Sequence, residues 1–275
     1  MNRDIQCSVE VLTHNCAATL PKTLKSINRF ADVIVCDGGS IDDTVAIARA
    51  AGCRVFAQEV RFRNPDNTIR DFSGVRNQGL AAAKYPWFLF VDSDEVLAEE
   101  LVEEIGIIVK AGMPPAAYWI PRLYVHGGRI VRCASSYPSR QMRLFHKDAV
   151  HSFEKEIHER IIVREGAAVH TARGAMLIPV LENRRERLKK MDYYIVLERQ
   201  RGERITGRDV LRTVFTAGKV IILYNVRLLK NAFCCRGHKL PLLMEWDAQL
   251  YQIKNAISAI SALGKSYLYE FHRRS

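Results

Sequence analysis

The segment WFLFVDSDEVL sends an apolar strand directly into Asp92, Ser93, Asp94 and Glu95. Side chains two apart on an extended chain point the same way, so Asp92 and Asp94 can share a hard divalent cation such as Mg2+ or Mn2+. Ligands of open α/β sheets bind beyond the carboxyl ends of the strands, which is where these acids fall. An ion held there bridges a diphosphate and neutralises the charge that builds on a leaving nucleotide. The competing reading is that the acids only cap the helix that follows.

Two further strings share the pattern. VIVCDGGSIDDT ends a second apolar strand at Asp37, followed by two glycines that let a ligand approach the backbone and by a helix start. Alone, it is equally an ordinary strand-turn-helix junction. In GVRNQGLAAAKYPW, Arg76 and Asn77 are expected to open a helix leading into the acidic strand. Arg76 there suits a diphosphate or a ribose, or else a surface salt bridge.

The elements that must position these residues alternate between strand and helix, the mark of an α/β fold with a mostly parallel sheet. Ile5 to Leu12, Asp32 to Cys36, Cys53 to Ala57 and Trp87 to Val91 read as strands buried on both faces. Pro21 suits a first helical turn, and Ser40 is expected to cap a helix through Asp43 to Ala51 that Gly52 ends. Leu97 to Lys110 reads as an amphipathic helix. Tyr118 to Val125, Gly127-Gly128 and Arg129 to Cys133 read as a hairpin adding antiparallel strands. From Arg184 onward the pattern is helical, with Leu243, Trp246, Leu250, Ile253, Ile257 and Ile260 at three- and four-residue steps.

The 275 residues allow one large domain with a smaller attachment. Lys plus Arg outnumber Asp plus Glu by 41 to 30, a net charge of +11, which calls for an anionic partner. No helix-turn-helix, zinc-finger or aromatic RNA-binding string accompanies that charge, so the expectation is no nucleic acid. Seven cysteines without a CxxC pair suit small hydrophobes in a reducing, cytoplasmic compartment. The first residues lack the pattern of a secretory leader, and the stretch from Val210 to Leu229 is broken by Arg212, Lys219 and Arg227.

SVEVLTHN, VIVCDGGSIDDT and GVRNQGLAAAKYPWFLFVDSDE, in that order and spacing, resemble the family 2 glycosyltransferases of the GT-A fold over roughly residues 5 to 110. The resemblance implies a UDP-sugar donor, inversion at the anomeric carbon and a Mg2+ or Mn2+ cofactor. It makes DSD an Asp-x-Asp metal motif, with Asp94 as direct ligand and Asp92 near ribose and metal. It also makes Asp37 the reader of the uridine base, with Thr13, Asn15, Arg76 and Ser93 completing the donor site. YWIPRLYVHGGRI, SRQMRLF and EIHERI resemble the branch of lipopolysaccharide inner-core glucosyltransferases, in which Glu159 is the candidate catalytic base. Two positions depart from that pattern: Leu12 stands where a proline is usual, and IPVLENRR where a histidine-tyrosine pair is expected.

A base is needed on chemical grounds too, since a sugar hydroxyl must lose its proton as it attacks. Glu154 and Glu156 are substitutes for Glu159, which could instead be a solvated acid paired with Arg160 or Lys155. His158 could contact metal or diphosphate. Arg140 and Arg143, alternating with Met142 and Leu144, could both face an anionic donor or acceptor, or form an exposed sheet face.

Domain boundaries are expected at 1–183 for catalysis, with a donor half to 115 and an acceptor half from 116, and at 184–275 for a basic amphipathic extension. There ENRRERLKK, GRDVLRTVF and KVIILYNVRLLKNAFCCRGHK interleave cations with apolar residues. That pattern suits an anionic membrane surface carrying a glycolipid or lipopolysaccharide-core acceptor, on the inner face of the cytoplasmic membrane, or else packing on the rest of the protein. Two rivals are a nucleotidyltransferase, whose glycine-rich loop THNCAATL lacks, and a non-catalytic membrane-surface protein.

Overall fold

Apolar runs flanked by turn residues become the middle of a sheet. The computed structural model describes residues 3–65, 68–112, 114–155, 160–199 and 206–274. In chain order the elements begin β1 (Ile5–Thr13), α1 (Leu20–Ser26), β2 (Phe30–Asp37), α2 (Thr44–Ala50), β3 (Arg54–Ala57), α3 (Phe72–Ala82), β4 (Trp87–Asp92), β5 (Val96–Leu97) and α4 (Glu99–Lys110). They continue with β6 (Ala116–His126), β7 (Arg129–Ile130), β8 (Arg140–His146), β9 (Val150–Glu154), β10 (Arg160–Val163), β11 (Ala168–Thr171) and β12 (Met176–Pro179). Three helices follow: α5 (Arg184–Arg199), α6 (Gly207–Cys234) and α7 (Leu242–Arg274).

The chain divides into two units, Met1–Leu123 with Pro138–Pro179 and Tyr124–Tyr137 with Val180–Ser275. In the first, β3, β2, β1 and β4 lie side by side and parallel, and β8 runs antiparallel between β4 and β6. This is the mixed α/β, mostly parallel sheet expected. Alternation along the strands sorts the core into two layers. Val9, Val11, Val35, Leu89 and Val91 pack on one face with Leu20, Leu24, Leu101 and Ile105. Leu12, Ile34, Cys36, Phe88 and Phe90 pack on the other with Val75.

Several local expectations are corrected. β3 is the outermost strand of the sheet, and Phe56 and Ala57 are exposed rather than buried. Ser40 caps no helix: α2 starts after Asp43 without a side-chain cap, because the Ser40 hydroxyl bonds to Asp37 instead. α3 begins at Phe72, where Asp71 accepts the Gly74 N–H at 2.9 Å, so Arg76 and Asn77 sit in the second turn. α4 starts at Glu99 because Val96 and Leu97 pair with β12.

In the second unit, Gly127 and Gly128 take φ of +55° and +71°, which a tight hairpin between β6 and β7 needs and only glycine adopts without strain. β7 stops at Ile130, short of Cys133, because the Arg132 and Cys133 N–H groups donate to His238 O. Cys133 and Cys235 form a disulfide, against the expectation of seven reduced thiols. Ser135 donates its N–H and hydroxyl to the buried Glu245 carboxylate, and Arg227 donates to Ser135 O at 3.3 Å. Among the described residues no helix is long and apolar enough to cross a membrane.

In the first unit α3 lies so close to β1 that a Cβ on Gly79 would fall on the Glu10 carboxylate. Gly79→Ala is expected to cost about 1–3 kcal/mol through this overpacking, read as a lower midpoint in urea unfolding.

Candidate active site

Glu10 stands in mid-strand among buried apolar residues, and a buried carboxylate requires a partner. Register places Glu10 beside Phe90, and Leu12 beside Asp92, so the face that carries Glu10 also carries the end of β4. α3 covers that face and lowers Arg76 into it. The Arg76 guanidinium donates to Glu10 at 3.0 Å and to Asp92 at 2.6 Å. Arg143 from β8 donates to the other Asp92 oxygen at 2.9 Å and to Glu95 at 3.2 Å, and Arg122 from β6 reaches Glu95 at 3.0 Å. Three acids and three arginines thus form one chain of ion pairs. The two central guanidiniums, of Arg76 and Arg143, each lie over the Phe90 ring, 4.5 Å from its centroid.

These pairs set the protonation of the acids. Burial pushes Asp92 up, but Arg143 and then Arg76 outweigh it and hold the carboxyl well below the usual range. Burial and the neighbouring Asp92 charge push Glu95 above its ordinary value against the pull of Arg143 and Arg122. Arg143 is raised: its burial opposes the charge, and Asp92 and Glu95 more than offset it. Of Asp92 and Glu95, Glu95 is therefore the one that takes a proton first as pH falls.

Asp94 differs from both. The strand ends at Asp92, and the Glu95 N–H donates to Asp92 O at 3.0 Å, so Ser93 and Asp94 lie in a turn where the two-residue alternation of a strand no longer applies. Ser93 O accepts the Thr23 hydroxyl at 3.0 Å. The half-buried Asp94 carboxylate has no hydrogen bond or ion pair among the described residues. No group of three or more His, Cys, Asp or Glu among them converges as a metal cage. One open carboxylate at a strand end nevertheless fits a hard ion that takes its remaining ligands from phosphates and water. Asp92, expected beside the metal, has both oxygens engaged by arginine.

Thr13, Asn15 and Asp37 come together around Ser40. Asp37 accepts from Thr13 Oγ1 at 2.9 Å, from the N–H groups of Gly39 and Ser40 at 2.9 and 2.8 Å, and from the Ser40 hydroxyl at 2.6 Å. Asn15, at φ +47°, donates its N–H to Ser40 Oγ and accepts the Ile41 N–H at 2.8 Å. Behind the turn, Gln58 is buried, donating to Cys36 O at 2.9 Å, and Arg63 donates to Gly38 O at 2.8 Å.

Arg140 and Arg143 do not share a face, because residues three apart on a strand point oppositely. Arg143 is buried among acids, whereas Arg140 is exposed, with Thr171 Oγ1 at 3.4 Å. Glu154 is exposed at the end of β9, in register with Arg160. Asn77 exchanges two 2.9 Å bonds with the Phe153 backbone, fixing β9 against α3. Glu156, His158 and Glu159 lie outside the described residues.

Sequence reasoning missed Glu10, Arg122, Gln58 and Arg63, and named Glu95 among the strand-end acids without its arginine partners. Glu10 alone carried a signal, being a charge inside the apolar run SVEVL.

The folded state holds Asp92 below its ordinary pKa, so its ionic contribution to stability is complete above the unfolded value of about 3.9 and is lost as pH falls below it. Asp92→Asn is expected to destabilise the protein at pH 7, with the gap from wild type narrowing below about pH 4 in denaturant titrations.

A sequence profile of the family described as "Glycosyl transferase family 2" matches residues 8–162. An uncharacterized glycosyltransferase of Rickettsia felis is 31% identical over 122 residues, covering 43% of this chain and 40% of that protein. A PGL/p-HBAD biosynthesis glycosyltransferase of Mycobacterium bovis is 32% identical over 96 residues, covering 34% and 36%. The matched part of this chain thus spans well under half the length of these curated relatives. Among solved structures, S. aureus TarS 1-349 in complex with UDP-GlcNAc is similar at 14% identity and a TM-score of 0.44, covering 98% of this chain and 92% of that one. Glucosyl-3-phosphoglycerate synthase from Mycobacterium tuberculosis, in complex with Mn2+, UDP and its product, is similar at 17% identity and 0.43, covering 70% and 77%. The profile match runs through the whole ion-pair chain and the turn that bears Asp94, and this chain belongs to glycosyl transferase family 2.

Proposed function

We infer that this protein is an inverting hexosyltransferase. It moves a hexose such as glucose from a UDP-sugar to a saccharide hydroxyl on a lipopolysaccharide-core or other glycolipid acceptor. The catalytic part is assigned to 1–183 and the helical extension to 184–275. The observation that carries the reading is the contrast at the end of β4, where Asp92 is saturated by Arg76 and Arg143 while Asp94 stays open.

In this reading Asp94 holds a Mg2+ or Mn2+ ion, which supplies charge neutralisation at the donor diphosphate. Asp37, Thr13 and Asn15 form the rigid turn against which the uridine rests. Arg76 and Arg143, already paired with acids, orient Asp92 beside the ribose. The acceptor hydroxyl attacks the anomeric carbon on the face opposite UDP and gives its proton to a carboxylate, for which the family resemblance nominates Glu159. The new C–O bond forms as the bond to the phosphate oxygen breaks, and UDP leaves with that electron pair.

The test is a screen of the purified protein against nucleotide sugars with Mg2+ or Mn2+, by thermal shift and then by release of UDP. A UDP-hexose is expected to raise the melting temperature and to be turned over. Asp94→Ala is expected to lower turnover by about a hundredfold or more and to leave stability within about 0.5 kcal/mol of wild type, since this side chain has no partner to lose among the described residues. Full activity in that variant, or indifference to chelators, removes the assignment.

A further inference from the structure

α6 presents a long apolar stripe to solvent. Leu211, Phe215, Ile222, Val226, Leu229 and Phe233 recur at steps of three, four and seven, which puts them on one helix face. All are between 58% and 87% exposed. The stripe runs for about 33 Å at the helical rise of 1.5 Å per residue. Surfaces of soluble monomers rarely leave an apolar strip of this extent uncovered.

The cations around it indicate what covers it. Arg212, Lys219 and Lys230 are exposed and separated by seven and eleven residues, so they line one edge of the stripe along its length. Lys219 Nζ lies 5.3 Å from the Phe215 ring centroid, over the apolar face. The only acid on α6 is Asp209, which is occupied in the capping box with Thr206 at the first turn. A second copy docked on this face about a two-fold axis would bring like charges together, and protein interface cores are depleted in lysine. Cations bordering an apolar strip, with no free acid, complement lipid phosphates.

We propose that α6 lies flat on an anionic membrane surface, its Leu211-to-Phe233 stripe in the acyl boundary and Arg212, Lys219 and Lys230 at the headgroup phosphates. The inference deepens the transferase reading, in which the acceptor is lipid-borne. It rests physically on α6 alone, so it is tested without turnover.

The 275-residue protein is sedimented with vesicles of phosphatidylglycerol in phosphatidylcholine and with pure phosphatidylcholine. Wild type is expected to partition onto the anionic vesicles and to be released by rising salt. The double variant Phe215→Glu, Leu229→Glu is expected to lose at least tenfold in partitioning, and Lys219→Glu with Lys230→Glu to lose the preference for phosphatidylglycerol. Stabilisation by a UDP-sugar, measured on the same samples without lipid, is expected to be unchanged by either pair; its absence in wild type would count against the transferase reading and not against this one. Ile222→Trp offers a readout that keeps the face apolar, with an added blue-shifted emission quenched by brominated lipid. The proposal is overturned if wild type stays in solution, if both glutamate variants partition like wild type, if the added tryptophan emission ignores vesicles, or if wild type is a dimer that Phe215→Glu splits without lipid.

Discussion

A carboxylate buried in mid-strand is tolerated only with a cation beside it, and Glu10 imposes that condition on everything around it. Arg76 answers Glu10 and also reaches Asp92; Arg143 answers Asp92 and reaches Glu95; Arg122 completes the series. The participants come from β1, α3, β4, β8, β6 and the turn after β4. A slip of one residue in any of these strands would turn its member of the chain to the opposite face and strand a charge. The same pairs therefore hold the sheet in register and fix the chemistry at its edge.

Asp92 and Asp94 differ through local backbone geometry. One residue is the last of a strand and is gripped by two guanidiniums on a shared aromatic ring. The other lies two positions on, in a turn, and keeps its oxygens open. The Asp37 turn shows the opposite arrangement, with a carboxylate consumed by hydrogen bonds from Thr13, Gly39 and Ser40. These bonds tie the turn together, and the N–H groups of residues 38 to 41 are all held within it.

Much of this was legible in the residues. The four parallel strands follow from short apolar, β-branched runs, and the Gly127-Gly128 hairpin follows from glycine's tolerance of positive φ. Asp37 and Asp92 stand out in the sequence because each ends an apolar run, and Asp94 because it follows two residues on. What escaped was long-range pairing. Nothing local told that Arg143 faces Asp92 from 51 residues away, or that Arg122 reaches back to Glu95. Arg140 and Arg143 suggest one surface by their shared type, although three residues along a strand separate faces. Ser40 had the right type for a helix cap but was closer to Asp37 than to the helix. Cys133 and Cys235 carried no motif, and their pairing depends on an insertion folding against helices that come 102 residues later.

That insertion has a consequence for biogenesis. On a ribosome adding about 5–20 residues per second, Ser135 emerges roughly 5–20 seconds before the Glu245 that will accept its N–H, the two being 110 positions apart. During that interval the hairpin and its cysteine lie without their final partners, while most of the parallel sheet has already been made. Nascent chains halted before α7 would retain the segment in that unsatisfied condition, a target for chaperones and for mispaired thiols.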